Sequence, residues 1–508
     1  MKISFKNSVL IAGVVAGMLG TGCKKQLDIN RTPNSPGAEQ GTPKLVFPAA
    51  VMGTTARVGG DLAILGAIWG EYATQSALSS QYRQLDAYNV DGSQLNGPYN
   101  GLWAQGLKNY QFIIDKATAS EDWNFLLMAT TMKAYTMGLL VDLYDKVPYT
   151  EALQGAGNLN PKFDDGQAIY TALLTELDAA LAKDFTASTN TSPGKVDLVF
   201  PPASGTSDVD KEISWNSGGN INKWKQFANT LKLKFYLRMV NKNASVAQTG
   251  ITKLYTDGVT FLSTDAGVGG FTDVAGKDNP MYEQNIRQLN TPDNIRASKT
   301  MATFLADKGD PRITYLYGST NPVSIHQGDY LQTDASFNYG NAARLVQRAT
   351  DPVIFISAAE SLLMQAEARE RYYAGAGAKA LYDAGVQASF TAMGAGSAAT
   401  LLAGAYAYPA TTLDAKIEAI STQKWISYAY GVHYIEGFFE KQRTGYPKTS
   451  PVYSTSPSYV PGQWVISKNS VLAAGQLPRR LVFPDVEKNR NSNTPAIVPI
   501  QTGVWWAL

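Results

Sequence analysis

The segment MATTMKAYTMGLLVDLYDKVP at residues 128–148 decides the fold class of this chain. Its larger apolar side chains recur at steps of four and three residues: Met128, Met132, Tyr135, Leu139 and Leu143. Because an α-helix turns once every 3.6 residues, this spacing places all of them on one helical face. Proline cannot continue a helix, so we expect an amphipathic helix that ends before Pro148.

The segments on either side repeat the helical pattern. On the C-terminal side, the apolar stripe consists of Tyr170, Leu173, Leu174, Leu177 and Leu181. On the N-terminal side, Trp103-x-x-Gly106-Leu107-x-x-Tyr110 has the spacing of the tetratricopeptide consensus W-x2-L-G-x2-Y, with Leu and Gly exchanged. This spacing also marks Trp103 and Tyr110 as core residues. Consecutive helices of this length predict tetratricopeptide-like helix pairs.

Helical periodicity covers two parts of the chain, residues 45–240 and 353–440. The first part closes on a helix with one predicted buried stripe: Trp224, Phe227, Ala228, Leu231, Phe235 and Arg238. The second part predicts helices at 353–373, 376–392 and 412–440. The fold class is therefore mainly α, with helix pairs stacked as an α-solenoid.

Three stretches interrupt this periodicity, namely 186–222, 258–350 and 441–508. They are rich in Gly, Ser, Asn, Asp or Pro, a composition that predicts irregular insertions. Long irregular stretches inside a folded chain are often the places where ligands bind. We therefore expect a loop-rich, ligand-binding part beside the helical one.

The N-terminus has the residue order of an export signal. Lys2 and Lys6 precede an apolar run at 9–19, small residues follow, and then comes Cys23, the only cysteine. This order predicts a signal peptide over 1–22 and acylation of the Cys23 thiol. Residues 23–44 would then form a lipidated tether and 45–508 the body. The alternative is an ordinary signal peptide with a chance cysteine nearby.

The charge balance gives no indication of a nucleic-acid or acidic-lipid partner. The chain has 44 Lys and Arg residues against 42 Asp and Glu residues, and two of the lysines belong to the predicted signal. The mature protein is therefore nearly neutral at pH 7, without the basic excess that binding to nucleic acid or acidic lipid requires. No segment after residue 22 is long and apolar enough to span a bilayer, so we expect membrane attachment through the lipid only.

Catalytic motifs are absent from the sequence. The two histidines, His326 and His433, lie far apart, and neither H-E-x-x-H nor G-x-S-x-G occurs. Asp164 and Asp165 could form the carboxylate pair of a glycosidase. We expect them instead to cap the helix that begins near Gln167. The sequence therefore predicts no catalytic residue, cofactor or metal ligand, although its oxygen-rich loops leave room for a structural Ca²⁺.

Aromatic residues are the positive signal for binding, with 27 Tyr, 18 Phe and 9 Trp. Several tyrosines lie among Gly, Asn and Asp instead of in apolar runs: Tyr82, Tyr88, Tyr99, Tyr282, Tyr330, Tyr339, Tyr453 and Tyr459. A flat ring with a polar tip can stack on a sugar face or a peptide group and hydrogen-bond at its rim. The alternative is that these tyrosines only bond main-chain carbonyls at the surface.

Several segments together resemble the SusD/RagB family of surface nutrient-binding lipoproteins. The similar segments follow in order along the chain: LDINRTPNSP at 27–36, LLVDLYDKVPYTEA at 139–152, NPKFDDGQAIYTALLTELDAAL at 160–181, WKQFANTLKLKFYLRM at 224–239, ISAAESLLMQAEA at 356–368, QKWISYAYGVHYIEGFFEKQRTGYP at 423–447 and LPRRLVFPDVEKNRNSN at 477–493. Asp145-Lys146 and His433-Tyr434 depart from the family pattern at positions that we expect to be core or interface.

The resemblance implies a SusD-like α-solenoid that is anchored in the outer membrane by its lipid and faces the cell exterior. It also implies partnership with a SusC-like TonB-dependent transporter. The expected function is non-enzymatic capture of a nutrient, an oligosaccharide or in some members a peptide. Two alternatives stay open, a surface-displayed two-carboxylate glycoside hydrolase and a purely scaffolding lipoprotein.

By analogy of position, the ligand site is expected in two windows, 77–100 and 269–288. Each window mixes flat rings with hydrogen-bonding side chains and Gly. The candidate ligand-binding residues are Tyr82, Arg83 and Tyr88 from the first window and Phe271, Tyr282, Gln284 and Arg287 from the second. We expect the rings to stack on the ligand and the polar side chains to bond its hydroxyls or carbonyls.

Overall fold

The computed structural model describes residues 41–94, 96–331 and 338–508, and the helix predicted before Pro148 is its longest. This helix spans Trp123–Tyr144. Asp122 caps it by accepting a hydrogen bond from the Phe125 N–H at 3.4 Å, and it ends at Asp145, where φ is 73°. Every residue after Trp123 is buried. The helix is therefore enclosed on all sides, and the prediction of a single buried face was too narrow.

The other helices and strands are numbered along the chain. The helices are α1 Pro43–Val58, α2 Asp61–Trp69, α3 Arg83–Asp86, α4 Asn96–Gly101, α5 Lys108–Ala119, α6 Trp123–Tyr144, α7 Gly166–Leu181, α8 Asp208–Ser217, α9 Asn220–Met239, α10 Ala244–Thr256, α11 Pro280–Tyr282, α12 Lys299–Lys308, α13 Arg312–Tyr317, α14 Ala358–Tyr372, α15 Ala378–Ala392, α16 Ala399–Leu402, α17 Leu413–Ser427, α18 Ile435–Thr444 and α19 Asp485–Arg490. The strands are β1 Ala73–Gln75, β2 Lys146–Pro148, β3 Phe163–Asp165, β4 Ala266–Val268, β5 Ile295–Ala297 and β6 Val353–Ile356.

Helices that follow each other along the chain pack in pairs. Helix α5 packs on α6, α6 on α7, α9 on α10, α14 on α15, and α17 on α18. The strands form only small antiparallel pairs, β1 with β5, β2 with β3 and β4 with β6. The mainly α fold with tetratricopeptide-like helix pairs is therefore confirmed.

The predicted buried stripe of α9 is confirmed. Trp224, Phe227 and Phe235 are 0 to 3% exposed, and Leu231 and Arg238 are buried with them. The Phe235 ring lies 4.6 Å from the Tyr170 ring and fills the space left by Gly138, where an added Cβ would come within 2.6 Å of it. Trp103 is only half buried, in a π-helical turn over Leu102–Leu107, so its placement in the core was only partly right.

The stretch 186–222 is more ordered than predicted, because it contains α8. Ser207 and Asp210 form a capping box, in which each side chain bonds the other residue's main-chain N–H. Trp215 anchors the helix, and its indole N–H donates to the buried carboxylate of Asp197 at 2.8 Å. One buried aromatic and one cap were enough to form a helix within a sequence of low average hydropathy.

Two predicted helices begin or end elsewhere. Residues 353–356 form β6, and α14 starts only after Ser357, whose hydroxyl accepts the Glu360 N–H. The predicted helix 412–440 is two helices, because Gly431 and Val432 have positive φ angles of 65° and 52°. In the stretch 258–350, helices α12 and α13 are ordered where loops were predicted.

Asp164 and Asp165 do not cap α7, which corrects the prediction. Asp165 occupies the N-cap position but makes no capping hydrogen bond, and it pairs with Lys146 instead. The Asp164 carboxylate accepts the N–H groups of Tyr149 and Thr150, both at 2.9 Å. The β2–β3 hairpin, which brings these main-chain donors close, therefore uses both carboxylates.

A network of buried ion pairs joins helices that are distant in sequence. Arg443 on α18 forms two parallel hydrogen bonds with Glu367 on α14, at 2.7 and 2.6 Å, and contacts Glu440 one turn earlier at 2.7 Å. Lys424 on α17 donates to the same Glu440 at 2.7 Å. These side chains are at most 4% exposed. The network thus connects α14, α17 and α18 through groups with almost no access to water.

A second set of ion pairs extends the network to α9 and α6. Glu436 on α18 pairs with Lys234 at 2.7 Å and with Arg238 at 2.8 Å. Arg238 also lies 3.3 Å from Asp142 on α6, and Lys234 lies 3.0 Å from Glu360 on α14. Burial opposes ionisation of Glu436, but the charges of Lys234 and Arg238 outweigh it and lower its pKa to about 2. Glu436 is therefore ionised at neutral pH.

His433 lies beside this network as a buried neutral group. Burial lowers its pKa to about 3, and neither ring nitrogen has a hydrogen-bond partner among the described residues. The unfolded chain protonates its histidine near pH 6.5, so acid favours unfolding from about that pH down to the folded-state pKa.

We therefore predict that His433→Gln makes the protein less sensitive to acid. Between about pH 6.5 and 5, the wild type should lose roughly 2 kcal/mol of unfolding free energy through this one group. Denaturant unfolding at both pH values measures the loss, and the variant should lose that much less. Equal losses in both proteins would contradict the buried neutral state of His433.

Candidate ligand-binding site

The two predicted windows lie side by side. Strand β1, just before the first window, pairs with β5, just after the second. The Ser79 hydroxyl donates to the Asn294 side chain at 2.7 Å, and the Asn294 amide donates to the Asn285 carbonyl at 3.1 Å. The fold therefore brings together residues that are about two hundred positions apart in sequence.

A cavity of about 450 Å³, here called the Phe271 cavity, opens at the second window. Phe271 and Gln284 line it together with Met52 and Arg57 of α1 and Leu198. The Phe271 ring is half buried, so part of it faces the cavity. Its volume lies within the range of ordinary small-ligand sites. Of the candidate residues, Phe271 and Gln284 line this cavity, where a ligand could contact them.

The polar groups of the Phe271 cavity have unused hydrogen-bonding capacity. Asp278 is 5% exposed, and its Oδ1 atom has no partner among the described residues. The Nε atom of Arg57 also has no partner among the described residues, whereas its Nη1 atom donates to Asp61 at 3.2 Å. Gln284 packs directly on the main chain at Gly60, where an added Cβ would lie 2.6 Å from the amide nitrogen. A carboxylate, a guanidinium and an amide beside a ring suit a ligand with many hydroxyl groups.

A second cavity, here called the Tyr82 cavity, occupies about 300 Å³ at the first window. Tyr82, Gln81 and Gln84 line it, together with Asp61 and Leu65 of α2. Tyr82 is 9% exposed, and burial raises its pKa, so the hydroxyl stays protonated and can donate. Because Asp61 pairs with Arg57 of the Phe271 cavity, one ion pair separates the two cavities.

Tyr88 lies in the core, which contradicts its predicted role as a stacking ring. It is 3% exposed, its ring contacts Trp69 edge-on, and its oxygen accepts the Ser467 N–H at 3.3 Å. Its Asn and Asp neighbours suggested a surface position. The C-terminal segment covers this position, and a local sequence window could not reveal that.

Arg287 and Arg83 are already engaged within the protein. Arg287 pairs with Asp273, Asp278 and Glu283, and its guanidinium lies 5.4 Å from the Tyr282 ring centre. Arg83 lies 5.4 Å from the ring centre of Tyr330. Arg287 therefore holds the loop that carries Phe271 and Asp278, and the half-buried Tyr282 ring is partly occupied by the same guanidinium.

A third cavity was not predicted. It has a volume of about 660 Å³ and lies between the end of α2, α18 and the irregular C-terminal part. Trp69, Phe438, Lys441 and Trp464 are among its lining residues, and we call it the Lys441 cavity. Phe438 and Lys441 come from the segment QKWISYAYGVHYIEGFFEKQRTGYP, which we expected to be core or interface and not part of a cavity. Aromatic and basic residues lie close together in this segment, and this was the feature of the sequence that could have indicated a binding cavity.

Within residues 41–94, 96–331 and 338–508, no three His, Cys, Asp or Glu side chains converge in a way that could hold a metal ion. Over the same ranges, no helix has both the length and the apolarity needed to cross a bilayer. Cys23 and the predicted signal and tether lie outside the described residues, apart from the last few positions of the tether.

Comparisons with known proteins agree with this architecture. The SusD-like family model, described as "Starch-binding associating with outer membrane", matches residues 66–484. A comparison with curated protein sequences finds no match. Solved structures that resemble the chain include a chitin-binding SusD homolog from Flavobacterium johnsoniae, with 21% identity over 90% of this chain and 98% of that one and a TM-score of 0.67. A chitin-binding protein, with 21% identity over 91% and 100% of the chains, reaches a TM-score of 0.69.

A SusD homolog from Bacteroides uniformis shares the fold as well, with 20% identity over 91% of this chain and 99% of that one and a TM-score of 0.68. At these identities the structures establish the fold, whereas the family model covers most of the sequence. The chain therefore belongs to the SusD-like family, as the resemblance predicted. This is a family of binding proteins associated with the outer membrane.

Proposed function

We propose that this protein captures an oligosaccharide at the cell surface and delivers it to a SusC-like TonB-dependent transporter. The observation that carries the proposal is the Phe271 cavity, where a half-buried ring lies beside polar groups with unused hydrogen-bonding capacity. A sugar ring offers an apolar face for stacking and hydroxyls that both donate and accept hydrogen bonds. The Tyr82 cavity, across the Arg57–Asp61 pair, would hold further sugar units.

In this proposal each cavity group has one task. Phe271 stacks on a sugar face, Asp278 accepts hydrogen bonds from sugar hydroxyls, and Gln284 both donates and accepts hydrogen bonds. Arg287 keeps Asp278 in place by binding its other oxygen. Binding energy would come mainly from the ring, while the polar groups select the arrangement of hydroxyls.

The transporter partnership and the outward-facing location rest on family membership and on the predicted lipid anchor at Cys23. The family description supports association with the outer membrane and starch binding. Two of the similar structures are described as chitin-binding. Starch and chitin fragments are therefore the first ligands to test.

A peptide ligand, a scaffolding role and a two-carboxylate hydrolase remain the alternatives. Membership in a family of binding proteins supports capture without cleavage. Asp164 and Asp165 are engaged in the β2–β3 hairpin, which disfavours them as a catalytic pair. Analysis of the glycans for cleavage after incubation separates capture from hydrolysis.

We predict that Phe271→Ala weakens binding of maltooligosaccharides or chitooligosaccharides, whichever the wild type binds, by about five- to thirtyfold. This corresponds to the loss of one stacking contact, roughly 1–2 kcal/mol. Isothermal titration measures the change. Phe112→Ala is the matched control, because Phe112 is also a half-buried ring but lines neither cavity, so the affinity should be unchanged. Wild-type affinity in Phe271→Ala would place the site elsewhere.

We also predict that Cys23→Ala releases the protein from the membrane. Without the acylated thiol, the variant should partition into the aqueous phase of a detergent extraction, while the wild type follows the detergent. The extraction is done in cells that lack the transporter, so that a protein partner cannot retain the chain. Retention of Cys23→Ala with the outer membrane under these conditions would refute the lipid anchor.

A further inference from the structure

The Lys441 cavity has an unusual charge distribution. Three of its lining side chains, Lys441, Lys448 and Arg479, are basic, and none of the described residues that line it is Asp or Glu. Lys448 is exposed and pairs with Glu418 at 3.1 Å, so its charge is largely compensated. Arg479 donates one hydrogen bond from Nη2 to the main-chain oxygen of Leu508 at 2.6 Å.

Lys441 is the central cation of this cavity. Its ammonium group donates to the carbonyls of Gly445, at 2.9 Å, and Pro447, and it lies 5.7 Å from the Trp464 ring centre. Within the described part of the chain, Lys441 forms no ion pair with a carboxylate, and Glu71 interacts with it only at longer range. Burial lowers its pKa to about 8, so most of the molecules carry the charge at pH 7. A cation in this position attracts an anionic ligand.

Several polar groups near Lys441 have no hydrogen-bond partner among the described residues. Gln442 is only 5% exposed, yet neither its amide nitrogen nor its amide oxygen bonds any described residue. The same is true of the Trp464 indole N–H and the Gln476 amide oxygen. Nearly all buried polar groups in proteins are hydrogen-bonded to protein or water, so groups without protein partners around a single cavity are available to bond a ligand that enters it.

We propose that the Lys441 cavity is a second binding site that takes a sugar unit bearing a carboxylate, such as a uronic acid. The carboxylate would lie between Lys441 and Arg479, and the sugar hydroxyls would bond Gln442 and Gln476. Trp69 and Phe438 form the apolar part of the wall. Trp69 also donates to the carbonyl of Leu85, which lines the Tyr82 cavity, so the two cavities share a wall. The assignment of a sugar rests on the proposed function, whereas the carboxylate follows from the charges.

The test is isothermal titration of the whole protein with digalacturonate and with neutral digalactose. We expect the wild type to bind digalacturonate at least tenfold more tightly than digalactose, and added salt to weaken that binding. Gln442→Met should weaken digalacturonate binding at least tenfold. Since the Gln442 amide bonds none of the described residues, the same variant should keep or raise the thermal midpoint. Gln111→Met, at a half-buried position on α5, is the control and should change neither quantity.

The outcomes separate this site from the proposed function. Phe271→Ala should leave digalacturonate binding unchanged, because Phe271 lies in another cavity. Absence of digalacturonate binding, or equal affinities in wild type and Gln442→Met, would overturn the proposal. Succinate that competes as strongly as digalacturonate would show recognition of a carboxylate alone and would overturn the sugar assignment. Failure of neutral oligosaccharides to bind would contradict the proposed function only.

Discussion

The buried ion network centred on Arg443 and Glu436 is the constraint on which the rest of the fold depends. An isolated charge in the protein interior is very unfavourable, so each member has to find its partners when the chain folds. Arg443 needs Glu367 of α14, and Arg238 of α9 needs both Glu436 of α18 and Asp142 of α6. Helices that are hundreds of residues apart are therefore joined in an arrangement in which all these charges are compensated.

This frame positions the ligand-binding face, which itself consists mostly of loops. Helix α2 packs on α18, so tightly that a Cβ on Gly66 would lie 2.2 Å from the Ile435 nitrogen. One end of α2 borders the Tyr82 cavity and the other end borders the Lys441 cavity. The Phe271 loop is attached by Arg287 and by the Asn294 bridge to the first window. The helical frame thus positions the irregular segments that supply most of the cavity side chains.

The sequence predicted most of the frame and only part of the site. Helical spacing located α6, α7 and α9 because their apolar residues repeat at helical intervals within one segment. The segments that resemble the SusD/RagB family also contain the charged residues of the network. Tyr88 was misplaced because a segment distant in sequence covers it. The Lys441 cavity was missed because α2, α18 and the C-terminal part meet only in the folded protein. Features made by one segment can be predicted from sequence, whereas those that need several segments require the structure.

The most direct test of the network is the free energy of unfolding of Arg443→Met, measured with denaturant at pH 7 and compared with the wild type. Methionine removes the charge and leaves Glu367 and Glu440 buried without their main partner. The account predicts a loss of about 3–5 kcal/mol, together with faster hydrogen exchange in α14 and α18. Lys448→Met, which removes an exposed charge, should change the stability by less than about 1 kcal/mol. Wild-type stability in Arg443→Met would contradict the claim that this network determines how the helices assemble.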